Sequence, residues 1–149
     1  MANEFYALLG RMRYITRWGL MRNTFSENIQ EHSHQVAVMA HALALIRRDV
    51  LGLPGPDPDR CAVAAMYHDA TETLTGDLPT PIKYYNPDIK AADKLSAYAK
   101  CIDEQKAGNA EFNSAAVQTM QAMKDMDLPE LNWFIEECLP AFALNLDQL

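Results

Sequence analysis

The most informative stretch of this sequence lies near its middle: Ala62-Val63-Ala64-Ala65-Met66-Tyr67-His68-Asp69-Ala70-Thr71-Glu72. Its pattern is that of an apolar helical segment in which a histidine stands directly before an aspartate. A neutral imidazole and an ionised carboxylate are both costly to bury unless a partner satisfies them. A divalent cation satisfies both groups at once, so His68 and Asp69 indicate a metal site.

Two further residues complete a candidate ligand set. His32 lies on the apolar stripe of an upstream helix, three residues after Ile29 and four before Val36, which points it toward the core. Asp93 lies in a later helical segment, where on its own it would be an ordinary first-turn aspartate favoured by the helix dipole. Two imidazoles and two carboxylates suit one divalent ion (Mn, Fe, Co, Ni or Zn), with positions left for water and substrate.

The two remaining histidines are weaker candidates. His34 lies two positions after His32 and therefore points away from the core, so we expect it at the surface or behind a ligand. His41 is expected to be an ordinary helix histidine. The predicted ligands are therefore His32, His68, Asp69 and Asp93.

Helical periodicity runs through nearly the whole chain, without an alternating strand pattern or an internal repeat. The predicted class is all-α. Gly, Pro and capping residues set the helix boundaries. The predicted helices cover residues 5–15 with Asn3 as cap, about Asn28 to Leu51, a metal-bearing helix opened by Asp57 and Pro58, Asp88 to about Ala107, and residues 110–126 and 129–139.

Length and composition narrow the class of protein. A chain of 149 residues has the length of a single domain and can bury a hydrophobic core without disulfide bonds to stabilise it. The net charge of −7 argues against polymeric nucleic acid as a partner, since phosphate contacts need a basic surface. The sequence shows no transmembrane run and no secretory pattern, and its three scattered cysteines favour reduced thiols. We therefore expect a cytoplasmic protein with no membrane segment.

Five segments, which together span most of the chain, resemble the bacterial HD-domain 5′-deoxynucleotidases, a branch of the HD-domain phosphohydrolase superfamily. They are Arg17-Trp18-Gly19-Leu20-Met21-Arg22-Asn23, Glu27-Asn28 with Glu31-His32-Ser33, Ala65-Met66-Tyr67-His68-Asp69-Ala70, Leu74-Thr75-Gly76-Asp77-Leu78-Pro79-Thr80-Pro81, and Ala92-Asp93-Lys94-Leu95-Ser96-Ala97-Tyr98 with Lys100-Cys101. The resemblance implies an HD-domain helical bundle, a single domain over residues 1–149, built around one divalent ion. The implied ligands are again His32, His68, Asp69 and Asp93.

The resemblance also implies an activity, the release of phosphate from a deoxyribonucleoside 5′-monophosphate. Glu72 and Asp77 match residues that the family uses for catalysis and for holding the sugar. Arg17 matches its phosphate-handling arginine, which serves both binding and catalysis. Trp18 matches the neighbour of that arginine, a residue that in the family helps to reject ribose.

The chemistry of these residues can be compared with their ordinary uses. Glu72 lies four residues after His68, about 40° around a helix, so both can face one cavity and Glu72 can carry a proton. Arg17 offers a planar pair of donors to phosphate oxygens, although a surface ion pair is its ordinary use. For Trp18, packing in the core or at an interface is as good an explanation as a role in the wall of a substrate pocket. Asp77 would ordinarily be a turn residue.

Two other functions fit the same site. One is an HD hydrolase that acts on a nucleoside triphosphate or a cyclic dinucleotide, although the chain has no obvious extra basic cluster for a triphosphate. The other is a nonenzymatic helical module that binds a nucleotide or a partner protein and uses the metal for stability. Structural metal sites usually lack open positions and an adjacent proton carrier, which counts against the second. The resemblance further implies a homodimer, with which the Met- and Trp-containing C-terminal helices are compatible.

One departure from the resemblance concerns the chain just before Asp93. Relatives carry a longer helical segment there, whereas only residues 89–91 separate Asp88 from the Ala92-Asp93 motif. We expect that the protein has this segment and that residues between Lys90 and Ala91 are absent from the sequence, because the chain needs the extra length to return Asp93 to the metal. An intact bond puts the two Cα atoms about 3.8 Å apart. A true deletion would weaken the assignment of Asp93 most.

Overall fold

The computed structural model describes residues 4–77 and 87–149, so the prediction that Asn3 caps the first helix lies outside the described residues. Within these ranges the chain is helical, with one isolated antiparallel bridge between Thr16 and Asn28, and the all-α prediction is confirmed. The α-helices of these ranges are α1 (Phe5–Leu9), α2 (Ile29–Leu45), α3 (Pro58–Met66), α4 (Glu72–Thr75), α5 (Pro87–Lys106), α6 (Asn113–Lys124) and α7 (Pro129–Glu137).

Shorter helical turns extend several of these helices. A π-helical turn, Ile46–Val50, continues α2, and 3-10 turns cover Gly10–Tyr14, Ala110–Phe112, Leu139–Ala143 and Leu146–Gln148. None of the described helices is both long and apolar enough to cross a membrane.

Helix α2 lies at the centre of the bundle and packs against α3, α5 and α7. Its core face includes Val36, Ala40 and Leu43, which are fully buried and recur at the helical spacing of three and four residues. Apolar side chains from α3, α5, α6 and α7 close the same core. The Met and Trp side chains of the C-terminal helices pack against this core, so they are first of all core residues.

The start of α2 is fixed by a reciprocal cap. The Asn28 side chain accepts hydrogen bonds from the backbone N–H groups of Gln30 and Glu31, and the Glu31 carboxylate accepts one from the Asn28 N–H. Caps of this kind contribute about 1 kcal/mol. The cap therefore holds in place the first turn of α2, which carries His32.

Two stretches depart from simple helical periodicity. In residues 5–15, predicted as one helix, Phe5 and Leu8 are 48% and 41% exposed, and Met12 in the turn after α1 is the residue that is buried. Val50 continues the three- and four-residue spacing of Leu43 and Ile46 along α2 but is 54% exposed. The π-helical turn explains Val50, because it takes more residues per turn than an α-helix and shifts the side chains that follow it out of register.

The later helix boundaries agree with the sequence patterns. Asp57 caps α3 by accepting a bond from the Arg60 N–H, and Pro58 takes the first helical position. Helix α5 passes through Lys90 and Ala91 without a break. The three cysteines are present as thiols, with Cys61 and Cys101 buried and Cys138 partly buried.

A buried ion pair ties the segment 16–28 to α5. The Glu104 carboxylate accepts hydrogen bonds from the Lys100 ammonium group, from the Thr24 N–H and hydroxyl, and from Asn109. Burial opposes ionisation of Glu104, but these bonds outweigh it and lower its pKa to about 2. Lys100 also lies over the ring of Phe25. The segment between α1 and α2 is therefore held against the helix that carries Asp93.

A second buried charge cluster lies at the start of α5. Arg47 Nη1 donates to Glu130 Oε2 at 2.9 Å, and Asp88 lies beside the same glutamate. Burial, together with hydrogen bonding and repulsion from Glu130, raises the pKa of Asp88 to about 6. The folded protein therefore holds a proton here at a pH where the unfolded chain has lost it.

We expect Asp88→Asn to stabilise the protein selectively at neutral and alkaline pH. The stabilisation that protonated Asp88 provides is complete below its ordinary pKa of 3.8 and is lost as pH rises through about 6. An amide carries no charge to bury, so Tm should rise by about 2–6 °C above this window and stay near the wild-type value below it.

Thermal unfolding of wild type and variant across this pH range measures the difference. Asp147→Asn, which removes an exposed carboxylate near the C-terminus, is the control and should leave the pH profile unchanged. A Tm difference for Asp88→Asn that does not depend on pH would contradict the assignment.

Candidate metal centre and active site

The four predicted ligand side chains meet at one point in the core. His32 Nε2 lies 2.9 Å from Asp93 Oδ1 and 3.6 Å from Asp69 Oδ2. His68 Nε2 lies 3.2 Å from Asp69 Oδ2 and 4.0 Å from Asp93 Oδ1. His32 comes from the first turn of α2, His68 and Asp69 follow α3, and Asp93 lies on α5. Three separate elements thus bring two nitrogen and two oxygen donors together.

The hydrogen bonds of His32 determine which of its ring nitrogens faces the other ligands. The Ser96 hydroxyl donates to Gln35 Oε1 at 2.7 Å, so its oxygen is left to accept from His32 Nδ1 at 3.0 Å. The proton of the neutral ring is then on Nδ1. Nε2 consequently presents a lone pair to Asp69 and Asp93.

His68 is oriented in the same way by the backbone. Its Nδ1 lies 2.6 Å from the Ala65 carbonyl oxygen, which can only accept, so Nδ1 carries the proton. The Nε2 lone pair of His68 therefore also faces the carboxylates. Within residues 4–77 and 87–149, both Nε2 atoms are buried and have no hydrogen-bond partner.

Two buried lone pairs that face two carboxylates repel one another unless a cation lies between them. Metal–nitrogen and metal–oxygen bonds of about 2.0–2.2 Å place neighbouring donor atoms about 3.0–3.4 Å apart. The separations of 2.9 to 4.0 Å found here bracket that range. The residues present therefore fit one divalent ion, since His32, His68 and Asp69 offer donor atoms that all lie within 4.8 Å of one another, and Asp93 approaches the set through its oxygen 2.9 Å from His32 Nε2.

The surroundings act differently on the two imidazoles. Burial is the largest effect on His32 and lowers its pKa, with the charge of Arg17 acting in the same sense and Asp93 opposing both. Burial also disfavours the charged form of His68, but in that form a protonated Nε2 would donate to Asp69, and this bond together with the carboxylate charge raises the pKa of the ring. A proton and a metal ion therefore compete for His68 Nε2.

The local structure around His68 differs from the prediction. We expected His68, Asp69 and Glu72 on one continuous helix, but α3 ends at Met66 and α4 begins only at Glu72. The Ala65 carbonyl accepts from the backbone N–H and the ring of His68, which tightens the chain into a turn. The His-Asp pair therefore lies between two helices, and the angular argument that joined His68 to Glu72 is wrong.

Glu72 nevertheless remains beside the ligands. Its backbone N–H donates to the Asp69 carbonyl at 2.9 Å, and the residue is 2% exposed. The short helix α4 closes at Gly76, whose φ of 71° is accessible to glycine at little cost. This sharp end directs the chain to Asp77.

Arg17, Trp18 and Asp77 also come together, although they lie on two separate segments. Asp77 is exposed, and its Oδ2 accepts a hydrogen bond from the Trp18 N–H at 3.2 Å. The Arg17 guanidinium lies 5.5 Å from the Trp18 ring, and its charge acts on His32. Trp18 packs on Phe112 at a ring-centroid distance of 5.4 Å, so it has a packing contact as well.

The remaining histidines lie away from this cluster. His34 is exposed, as expected from its position on α2. His41 Nε2 lies 3.4 Å from Asp59 Oδ1 at the surface. Neither belongs to the metal centre.

Sequence reasoning missed three residues that support the site, namely Glu27, Gln35 and Ser96. Gln35 and Ser96 form the chain of hydrogen bonds behind His32. Glu27 accepts bonds from both Arg17 and Trp18. Gln35 lies three residues after His32 and Ser96 three after Asp93, a helical spacing that was available as a signal. Nothing in the spacing of Glu27 indicated its partners.

The sequence is similar to those of bacterial 5′-deoxynucleotidases over almost its whole length. The chain matches the YfbR-like 5′-deoxynucleotidase family over residues 4–91 and 88–142. It is 38% identical over 191 positions to a 5′-deoxynucleotidase from Vibrio parahaemolyticus, with 99% of this chain and 98% of that protein covered. A 5′-deoxynucleotidase from Photorhabdus laumondii is 37% identical, with 99% and 96% covered.

Solved structures share the fold. An HD-domain phosphohydrolase from Listeria innocua superposes with a TM-score of 0.73 at 17% identity, covering 93% of this chain and 88% of that one. The cyanophage S-2L HD phosphohydrolase, solved with dA and one catalytic Zn²⁺ ion, gives a TM-score of 0.67 at 22% identity, covering 94% and 98%. The HD-domain bundle is thereby confirmed.

The alignments also locate the departure near Asp93. They run over 191 positions although the chain has 149 residues, so at least 42 positions have no counterpart here. The two matches to the family meet at residues 88–91, the start of α5. Asp93 still lies 2.9 Å from His32. That residues are absent from the sequence between Lys90 and Ala91, rather than lost, stays a prediction.

Ser96→Ala tests the hydrogen-bond chain behind His32. Without the serine oxygen, Nδ1 of His32 loses its acceptor, and the ring is no longer held in the tautomer that offers Nε2 to a metal. We expect the affinity for Zn²⁺ or Co²⁺ to fall by about 10–100-fold. Titration against a chromogenic chelator measures it.

Ser33→Ala is the matched control, because Ser33 is buried next to His32 and its hydroxyl has no hydrogen-bond partner within the described residues. It should bind metal as the wild type does. Equal affinity of the Ser96→Ala and Ser33→Ala variants would refute a role of Ser96 in orienting the ligand.

Proposed function

Because the chain belongs to the YfbR-like 5′-deoxynucleotidase family, we propose that it is a metal-dependent phosphohydrolase that releases phosphate from deoxyribonucleoside 5′-monophosphates. The relatives that it matches over almost its whole length are 5′-deoxynucleotidases. The cofactor is one divalent metal ion. The single catalytic Zn²⁺ of the cyanophage neighbour supports this number.

The observation that carries the proposal is the pair of buried Nε2 atoms that face Asp69 and Asp93. A structural site with four protein donors in tetrahedral geometry is closed to solvent. Here the buried residue Glu72 is joined to Asp69 through its backbone N–H, and the charge of Arg17 acts on His32. This combination supports hydrolysis rather than a purely structural ion.

A divalent ion held by His32, His68, Asp69 and Asp93 would supply Lewis-acid polarisation of a phosphoryl oxygen and would make water a better nucleophile near neutral pH. Arg17 binds the phosphate of the substrate and offsets its charge with a planar fork of N–H donors. In the overall reaction a bond forms between the water oxygen and phosphorus, and the bond from phosphorus to the 5′-oxygen breaks. The products are the nucleoside and phosphate.

The remaining proposed roles concern the proton and the sugar. Glu72 carries the proton, either from the water or to the leaving 5′-oxygen. Asp77 accepts a hydrogen bond from a sugar hydroxyl, and Trp18 excludes ribose by occupying the space of a 2′-hydroxyl. Steric exclusion is needed because an apolar pocket alone rejects an added hydroxyl poorly.

Oligomeric state and location belong to the same proposal. We infer a homodimer, supported by the exposed apolar side chains of α1, among them Phe5, Tyr6 and Leu8. We also infer a cytoplasmic enzyme. The free cysteines support that location, since disulfides are rare in reducing compartments.

Asp69→Asn and Glu72→Gln separate the metal ligand from the proton carrier. Asp69→Asn should lose the bound ion and release phosphate from dAMP more slowly by several orders of magnitude. Glu72→Gln should keep the ion while kcat falls by about 10²–10⁴-fold. Metal content after dialysis and phosphate release with Mn²⁺, Co²⁺, Zn²⁺ and Mg²⁺ measure both quantities.

His41→Ala is the control, because His41 lies at the surface against Asp59. It should retain both metal and activity. Wild-type turnover by a metal-free Asp69→Asn protein would refute the mechanism. Release of pyrophosphate from dATP without release of phosphate from dAMP would favour the triphosphate hydrolase instead.

A further inference from the structure

Glu27 contacts both residues that are proposed to select the substrate. Its Oε2 atom accepts a hydrogen bond from Arg17 Nη1 at 2.7 Å and another from Trp18 Nε1 at 3.1 Å. One carboxylate oxygen therefore joins the guanidinium to the indole. The side chains of Arg17 and Glu27 are only 13% and 10% exposed, so little water competes for these bonds.

The backbone of Glu27 anchors this unit to the metal-bearing part of the fold. The Arg17 N–H donates to the Glu27 carbonyl at 2.9 Å, and Thr16 forms the isolated bridge with Asn28. Asn28 caps α2, whose first turn carries His32. The position of Arg17 and Trp18 relative to the metal ligand is thus set through Glu27 and its neighbour.

Trp18 needs such support, because its backbone is strained. Its φ of 59° lies in the left-handed region, which is unfavourable for a residue with a bulky side chain. Its N–H donates to Asp77, and its carbonyl accepts bonds from the Met21 N–H and the Asn23 side chain. The bond to Glu27 fixes the remaining polar atom, the indole N–H. Strained residues of this kind persist where surrounding contacts hold them and are concentrated at functional sites.

Arg17 keeps donors for a ligand while Glu27 holds it. A guanidinium group has five N–H donors in a rigid fork. Within the described residues, the hydrogen bonds of the Arg17 side chain use Nη1 alone. The ion pair therefore orients the group without occupying all of it.

We propose that Glu27 is a positioning residue that holds Arg17 and Trp18 as one rigid unit, so that phosphate binding and discrimination against ribose depend on a single carboxylate. The inference rests on the proposed roles of Arg17 and Trp18. If the Glu27 contact is lost, the guanidinium and the indole are released together. Phosphate affinity and sugar selectivity then fall in the same variant, although Glu27 itself need not touch the substrate.

A double-mutant cycle tests this coupling. Glu27→Gln removes the charge with little change of shape, and Trp18→Phe removes the indole N–H but keeps an aromatic ring. Each should lower the ratio of kcat/KM for dAMP over AMP by about tenfold. Glu27→Gln should also raise KM for dAMP more than it lowers kcat. The double variant should lower the ratio no further than Trp18→Phe alone, because without the indole N–H there is no bond to Trp18 left for Glu27→Gln to weaken.

Glu111→Gln is the matched control. Glu111 forms an ion pair at 2.6 Å with Arg22, which lies on the same segment as Arg17 and Trp18, but Glu111 does not hold either of those two residues. The Glu111→Gln variant should have the same ratio of kcat/KM for dAMP over AMP as the wild type. Additive effects in the double variant, or an unchanged ratio in Glu27→Gln while Trp18→Phe lowers it, would overturn the role of Glu27 and leave the proposed activity intact.

A second measurement does not need activity. Trp133 is the other tryptophan of the chain, so a Trp133→Phe background reports Trp18 alone. Glu27→Gln in that background should lower the fluorescence anisotropy of Trp18, whereas Glu111→Gln should not. An unchanged anisotropy would overturn the proposal even if dAMP were not a substrate. Failure of the wild type to hydrolyse any deoxynucleotide, with anisotropy that falls as expected, would instead refute the proposed function.

Discussion

Two imidazole lone pairs and two carboxylates share one buried point, and this arrangement constrains the rest of the structure. His32 and His68 are each held in the Nδ1–H tautomer, one by Ser96 and the other by the Ala65 carbonyl. Neither can donate to Asp69 or Asp93 in that form. A divalent cation bound between them would remove this repulsion and would take protein ligands from three separate elements. We therefore propose that the helical bundle is organised around a charge that the protein does not itself supply.

The helical bundle positions the candidate metal ligands, whereas the segment 16–28 carries the proposed substrate contacts. Helices α2 and α5 are packed through apolar faces and bring His32 and Asp93 to the same point. The segment 16–28 packs Trp18 and Met21 against a small apolar cluster around Phe112, and buried polar contacts fix the rest of it. Glu104 fixes it to α5, and Glu27 fixes Arg17 and Trp18 within it. Metal binding thus depends on the core, whereas the proposed substrate contacts depend on buried hydrogen bonds.

Much of this arrangement could be predicted from the sequence, and the exceptions have physical reasons. His32 was placed correctly because helical periodicity determines which face of α2 is buried. The break after Met66 could not be foreseen, because the apolar pattern continues through it, whereas the helix ends in a turn where the Ala65 carbonyl accepts from the His68 N–H and ring. Glu27 was missed because its partners lie across an irregular segment, where no periodicity relates sequence to contact.

The most direct test is anomalous diffraction from crystals grown with Mn²⁺ or Zn²⁺. A single anomalous peak should lie about 2.0–2.2 Å from Nε2 of His32, Nε2 of His68 and a carboxylate oxygen of Asp69 and of Asp93. A peak that lacks His32 or Asp93 among its ligands, or a metal bound only elsewhere on the chain, would contradict the four-ligand centre and the hydrolytic activity that depends on it.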